Sequence, residues 1–447
     1  MTRSKGKLLT NFFAIQGDIV RTGPNELTFC HPQSIKDIYG QHNIRQPKFF
    51  RKFSTFYGQS DVKVSSIGME VDPEKHQKIR KALSPAFSVS ALTQQEDIVL
   101  HYIDLLVSQL KHHGRDPQGA NVTNWFMWMA FDIIIDMSFG ESTGCVEKGE
   151  SDAWVHMLAN SGFQIALGYV VRRRFKIFQD AVRYCLVNEK SKKMREEYIM
   201  SGRRMAAKRL SRGADVPRFD FFSHLISEKN SEVNVDFLAS QAGTLAAAGT
   251  ETTSTFLAAL TYYLLRYPQA LERLQAELRE KFTLSSDITA QSTKDCQYLC
   301  AVIEEGLRIF APAPFGLPRV CPGAEIAGVW IPEGTTVATA AHVTSRDERW
   351  FNKSKEFHPE RWLPSDHPHH DKLYEGDMKE ASKPFGIGTR SCIGIHLSYM
   401  EVRICIAKLA WNFNWTQANP REDFVRDAKL LGLWKPAPFH VRYEPIN

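Results

Sequence analysis

From about residue 74 to residue 310 the chain is patterned almost continuously at helical period, and this run limits the possible folds more than any other feature. HQKIRKAL, EDIVLHYIDLLVSQLKHH, WFMWMAFDIIIDMSFG and QALERLQAELREKF all repeat their apolar residues three and four positions apart. The longest segment, DFLASQAGTLAAAGTETTSTFLAALTYYLLRY, is apolar on most of its faces and therefore belongs inside a helical core. The expected class is mainly α with a small β region. Its β part begins with GDIVRTGPNELTF, whose alternation on both sides of Gly23-Pro24-Asn25 predicts a hairpin. Short extended pieces such as GVWIPEGTTVATA return between about residues 311 and 340, and the loop-rich stretch 350–384 leads into a last long helix. No repeat, low-complexity tract or long linker interrupts the pattern, so residues 17–447 read as one domain behind a residual segment, 1–16.

Composition removes several functional classes. With 43% hydrophobic and 24% charged residues, the chain is globular and able to bury a large core. A formal net charge of +6 is thin over 447 residues, and no basic stripe is interleaved with aromatics, so nucleic acid is not expected as a partner. No run approaches the roughly 18–20 apolar residues that span a bilayer; LLTNFFAI is too short, and there is no export signal. VVRRRFKIF is basic and apolar together, the composition of a peripheral membrane contact or of a solvated helix end.

Eight cysteines include no C-x-x-C pair and no cluster at zinc spacing, which argues against a disulfide framework or a zinc site. Seven read as small buried hydrophobes. Cys392 differs because PFGIGTRSCIGIHLSYMEVR sets it in a glycine-rich loop at the start of a helix. One axial cysteine thiolate is how some haem proteins hold their iron, donating electron density that favours O–O cleavage. On that reading Gly386 and Gly388 let peptide N–H groups turn toward the sulfur, and Gly394 permits close approach to a porphyrin. The helix N-terminus lowers the thiol pKa, Phe385 shields the sulfur, and Arg390 pairs with a propionate.

The combination Phe385-x-x-Gly388-x-Arg390-x-Cys392-x-Gly394 resembles the haem-binding signature of the cytochrome P450 monooxygenases. EEGLR, with Glu305 and Arg308 one turn apart, and FHPERW, with Arg361, resemble the family's buried Glu-Arg-Arg cluster, which implies a role in bracing the haem-binding core. AAAGTETTS, within the longest apolar helix, resembles its oxygen-activation motif; this implies that Glu251 and Thr252 are the catalytic acid–alcohol pair, with Ala247, Ala248 and Gly249 leaving room beside them. His76, Arg80 and Arg319 resemble propionate ligands. RTGPNELTF, FDIIIDMSFGES and HPERWL are similar to the fungal secondary-metabolism branch, which includes isotrichodermin C-15 hydroxylase.

The resemblance, from about Gly17 to Pro445, implies the P450 haem-thiolate fold, haem b with an axial cysteine thiolate, and O2 as co-substrate. It implies electrons from an NADPH-dependent cytochrome P450 reductase, with cytochrome b5 as a further donor, a monomeric enzyme, and a hydrophobic terpenoid, polyketide or alkaloid substrate. Pocket walls are expected in 50–70, around Phe163, along Ala246 to Thr250, at Ala313 to Leu317 and near Leu431 to Leu433. Relatives carry an endoplasmic-reticulum anchor, whereas the sequence read by itself predicts none, leaving a cytoplasmic or peripheral location open. The rival readings are a haem-thiolate isomerase, dehydratase or peroxygenase that needs no reductase, and an inactive haem-binding relic.

Overall fold

A computed structural model describes residues 17–41, 44, 48–57, 64–158, 168, 170–171, 189–213, 218–227 and 233–446. Segment 1–16, Phe163, Cys185, residues 58–63 and most of VVRRRFKIF lie outside the described residues.

The longer helices are α1 (Pro32–Tyr39), α2 (Pro73–Leu83), α3 (Glu96–His113), α4 (Val122–Phe139), α5 (Glu189–Ser211), α6 (Val235–Arg266), α7 (Pro268–Lys281), α8 (Gln297–Ile309) and α9 (Ile395–Asn412). Their ends follow from local chemistry. Asp72 accepts the N–H groups of Glu74 and Lys75, and Pro73 opens α2. Asn234 caps α6 through Phe237 N at 2.9 Å. That helix stops before Pro268, which cannot continue it and instead starts α7.

Helix α6 is the axis of the molecule, packed against α4, α5, α7, α8 and α9. In α4 every residue but Asn124 and Met127 is buried, including two acids. Asp132 accepts Cys145 N, Val146 N and the Thr143 hydroxyl, and Asp136 accepts the Tyr102 hydroxyl and Arg218. Each buried carboxyl is thus hydrogen-bonded rather than stranded.

The expected hairpin forms as β1 (Ile19–Gly23) and β2 (Glu26–Phe29). With β3 (Arg51–Lys52), β4 (Arg319–Val320) and β5 (Thr336–Thr339), it builds a sheet in the order β1-β2-β5-β4-β3, in which only the β2–β5 pairing is parallel. A second hairpin, β6 (Lys429–Leu431) and β7 (Leu433–Lys435), packs on α6. Trp434 N donates to Pro312 O at 3.1 Å, tying this hairpin to the 311–317 stretch.

Candidate active site

Cys392 lies between a tight turn at Gly388–Arg390 and the first residue of α9. Its N–H donates to Phe385 O at 2.9 Å, closing the loop. Gly388, at φ +75°, passes so close to α1 that a Cβ would stand 2.0 Å from Tyr39 O; any side chain there would push the loop off that helix. The Phe385 ring rests 5.2 Å from that of Tyr399, on the first turns of α9.

Among the described cysteines Cys392 is the exposed one; Cys300 is intermediate and the rest, Cys405 included, are buried. Surrounding protein pushes its thiol up, against the pull of the Gly394 N–H bonded to the sulfur and of the Arg80 charge. That N–H comes from the N-cap of α9, where a helix has donors to spare.

Arg80 on α2 donates to Ser391 O at 2.7 Å and to its hydroxyl, fastening α2 to the cysteine loop. Arg390 donates to Glu70 O and Val71 O. Arg319 donates to the Tyr57 hydroxyl at 3.0 Å and lies over the Tyr39 ring. His76 is buried on α2, one turn before Arg80, and burial with the charges of Arg390, Lys52, Arg80 and Arg319 lowers its pKa to about 3. The four expected anion ligands therefore converge.

Lys52 joins them, and sequence reasoning missed it. It is directly opposite Arg319 across the β3–β4 pair, donates to Gly68 O at 2.7 Å and sits over the Tyr57 ring. Burial, then Arg390 and Arg319, lowers its pKa to about 6. Like charges directly opposite across strands are destabilising. Yet among the described residues none of Lys52, His76, Arg80, Arg319 and Arg390 makes an ion pair with a carboxylate. Five basic groups short of anions beside one accessible thiol are a donor set that fits a dianionic iron cofactor. The only trace in sequence is the cationic pair in FFRKF, which carries no signal without the β3–β4 register. Lys52→Met is expected to speed haem loss to an acceptor protein about tenfold or more, the worth of one charge-assisted hydrogen bond. An unchanged loss rate would remove Lys52 from the site.

Glu305, Arg308 and Arg361 meet in the core. Arg308 forks onto Glu305 at 2.7 and 2.8 Å, and Arg361 Nε lies 2.9 Å from the same carboxylate. Burial would raise the Glu305 pKa, but Arg308 and then Arg361 hold it below the usual carboxylate range. His358 N and the Trp362 indole also donate to it. Asp377 takes the other side of Arg361, so the cluster carries two acids for two arginines; nothing in EGDMK pointed to it.

On α6, Ala248, Glu251 and Thr252 share the accessible face, and the Thr252 hydroxyl donates to Ala248 O at 2.6 Å. With its proton so engaged, that oxygen presents lone pairs. Burial raises the Glu251 pKa and the charge of Lys435 on β7 opposes the rise. Gly249 faces elsewhere: a Cβ there would meet Ile134 of α4 at 3.2 Å, so its smallness serves helix packing as well.

A mainly α chain with one accessible thiol at a helix start, a cationic cluster beside it and an acid–alcohol pair on its central helix has the make-up of a haem-thiolate enzyme. The family model for cytochrome P450 matches residues 12–442, and the chain belongs to that family. It is 68% identical over 429 residues to cytochrome P450 monooxygenase btcC of Colletotrichum orbiculare, covering 96% of this chain and 82% of that protein. It is 40% identical to cytochrome P450 monooxygenase BOA3 of Botryotinia fuckeliana, with 96% and 84% covered. Identity to cytochrome P450 monooxygenase poxC of Penicillium oxalicum is 36%, with 96% and 82% covered. The protein is a haem-thiolate monooxygenase whose cofactor is haem b and whose electrons come from a redox partner.

Proposed function

We propose that Cys392 would hold the haem iron, that Lys52, His76, Arg80, Arg319 and Arg390 would hold the haem carboxylates, and that Thr252 and Glu251 manage protons on the accessible face of α6. The observation that carries the reading is the accessible Cys392 thiol with the Gly394 N–H on its sulfur and Arg80 beside it. Haem bound there supplies one-electron chemistry and O–O cleavage. The chain's own part is positional and electrostatic. Gly394 N–H and Arg80 favour the thiolate, and Phe385 covers it from the Tyr399 side. Thr252 accepts a hydrogen bond from water and keeps it at a fixed place on α6; Glu251, raised by burial, takes protons from solvent and passes them on.

The substrate of this reading is a hydrophobic secondary metabolite, in keeping with the apolar stretches 246–250, 313–317 and 431–433. The redox partner is an NADPH-dependent flavoprotein reductase, with cytochrome b5 as a second donor, acting on a monomer. Helix α2 grips the cysteine loop through Arg80 while Lys75, Lys78 and Lys81 face solvent, a basic face suited to an acidic partner. No helix among the described residues is long and apolar enough to cross a membrane. The location read here is the endoplasmic-reticulum surface.

Thr252→Ala, reconstituted with reductase, is expected to retain haem and consume NADPH while releasing peroxide in place of hydroxylated product. Glu251→Gln slows turnover, on the scale of about 10²–10⁴-fold for a positioned proton transfer. The assay is product and peroxide formed per NADPH consumed. Unchanged partition in both variants, or turnover without reductant, would move the reading to an isomerase.

A further inference from the structure

Beside the first turns of α9 a cavity of about 420 Å³ opens between that helix, α8 and the short helix Val89–Gln94. No described residue of α6 lines it, so it is separate from the face that carries Thr252. Leu92, Ala290, Ile303 and Met400, all buried, give it apolar walls, and its size is that of pockets that take small organic molecules. Its polar groups leave one charge unanswered. Glu304 accepts the Tyr399 hydroxyl at 2.6 Å, and burial pushes this carboxyl up, which disfavours its charged form. Glu96 accepts the N–H of Ala290, and Lys294, exposed at the mouth, donates to Gln291 at 3.0 Å. Arg403 is half-buried one turn beyond Tyr399, its guanidinium 5.9 Å from that ring and beside the Cys300 thiol, whose ionisation its charge favours. The Arg403 Nε is buried without a hydrogen-bond partner, and among the described residues the side chain pairs with no carboxylate. An unused buried donor on a charged group is costly, and an anion in the cavity would satisfy it.

We propose that this cavity is a second ligand site, for a small amphipathic carboxylic acid whose carboxylate pairs with Arg403 and whose hydrocarbon body covers Ala290, Ile303 and Met400. The two halves of the cavity call for both features in one molecule. An acidic side chain of a docked protein would reach Arg403 yet leave the apolar walls facing water, and an uncharged apolar molecule would cover the walls and leave the guanidinium unanswered. Tyr399, a wall of the cavity, also holds the Phe385 ring at 5.2 Å, which places the occupant next to the cysteine loop.

The test uses the full-length holoenzyme with decanoate as the probe and decylamine, of the same chain and opposite charge, as its control. Labelling of Cys300 by iodoacetamide, read on its own peptide by mass spectrometry, reports occupancy, because that thiol lines the cavity. Decanoate at about ten times its dissociation constant is expected to slow the labelling about tenfold, by mass action. Decylamine should leave it unchanged. Arg403→Met keeps the apolar stem and removes the charge; since Arg403 also acts on the thiol, each protein is compared with and without the acid. The variant should need about tenfold more decanoate, or beyond, for the same protection, the worth of one charge-assisted hydrogen bond. The haem absorption spectrum, recorded alongside, registers acid that enters on the α6 side instead. No protection by decanoate, equal protection by decylamine, or protection unchanged in Arg403→Met overturns the inference. Protection by reductase with none from decanoate gives the cavity to a protein partner and overturns it too. If Arg403→Met does not fold, decanoate against decylamine on the wild type decides the matter. None of these outcomes bears on Cys392, whose assignment is read from the ferrous carbon monoxide spectrum.

Discussion

Cys392→Ala is expected to abolish the thiolate-type spectrum of the ferrous carbon monoxide complex, while Cys405→Ala leaves it intact. The two thiols share a helix region but have opposite surroundings. Cys405 is wholly buried in the α9 core, where burial and then the Glu401 charge push its pKa far up; it cannot ionise there or reach a metal. Cys392 is exposed, and its raised pKa is opposed by the Gly394 N–H and by Arg80. Both of these favour the anion that a soft metal ligand must be. Removing the sulfur leaves the cationic cluster untouched, so haem is expected to stay weakly associated with an altered spectrum. A thiolate-type spectrum that survives Cys392→Ala and is lost in Cys405→Ala would refute the assignment.

Arg308→Ala is expected to give almost no holoprotein. Its guanidinium binds the Glu305 carboxylate and three carbonyls, those of Ser345, Ser354 and Glu356, so one side chain ties α8 to the loop-rich segment that follows. Truncation leaves two buried acids, Glu305 and Asp377, to the single guanidinium of Arg361, an unbalanced buried charge that costs roughly 3–5 kcal/mol. That is a large part of the about 5–15 kcal/mol by which domains are stable. Arg308→Lys should not rescue, because an ammonium cannot form the planar fork to Glu305. Yield of haem-replete protein and the unfolding temperature measure the effect. A well-folded, haem-replete Arg308→Ala protein would count against the bracing role.

Most of the fold is written locally. The helical stretches were legible because apolar residues three and four apart must face one core, and the first hairpin because Gly23-Pro24-Asn25 interrupts two alternating runs. The cysteine loop was equally legible, since its glycines, thiol and helix start lie within ten residues. The arrangement around it was not. Lys52 became a neighbour of Arg319 through the register of a two-residue strand pair, and Asp377 a partner of Arg361 through the path of an irregular loop. Gly249 turned out to pack on Ile134, a contact set by how α4 crosses α6.

The sequence by itself determined the helical class and placed Cys392 in a glycine-rich loop at a helix start and Glu251 beside Thr252 on the central helix, because each depends on spacing within one turn, loop or helix. Tertiary structure alone decided that five basic groups from four separate segments share one site, with no carboxylate ion-paired to them among the described residues. The physical reason is that burial and charge are properties of what surrounds a residue, and the cations that surround Lys52, which are Arg319 and Arg390, come from chain hundreds of residues away.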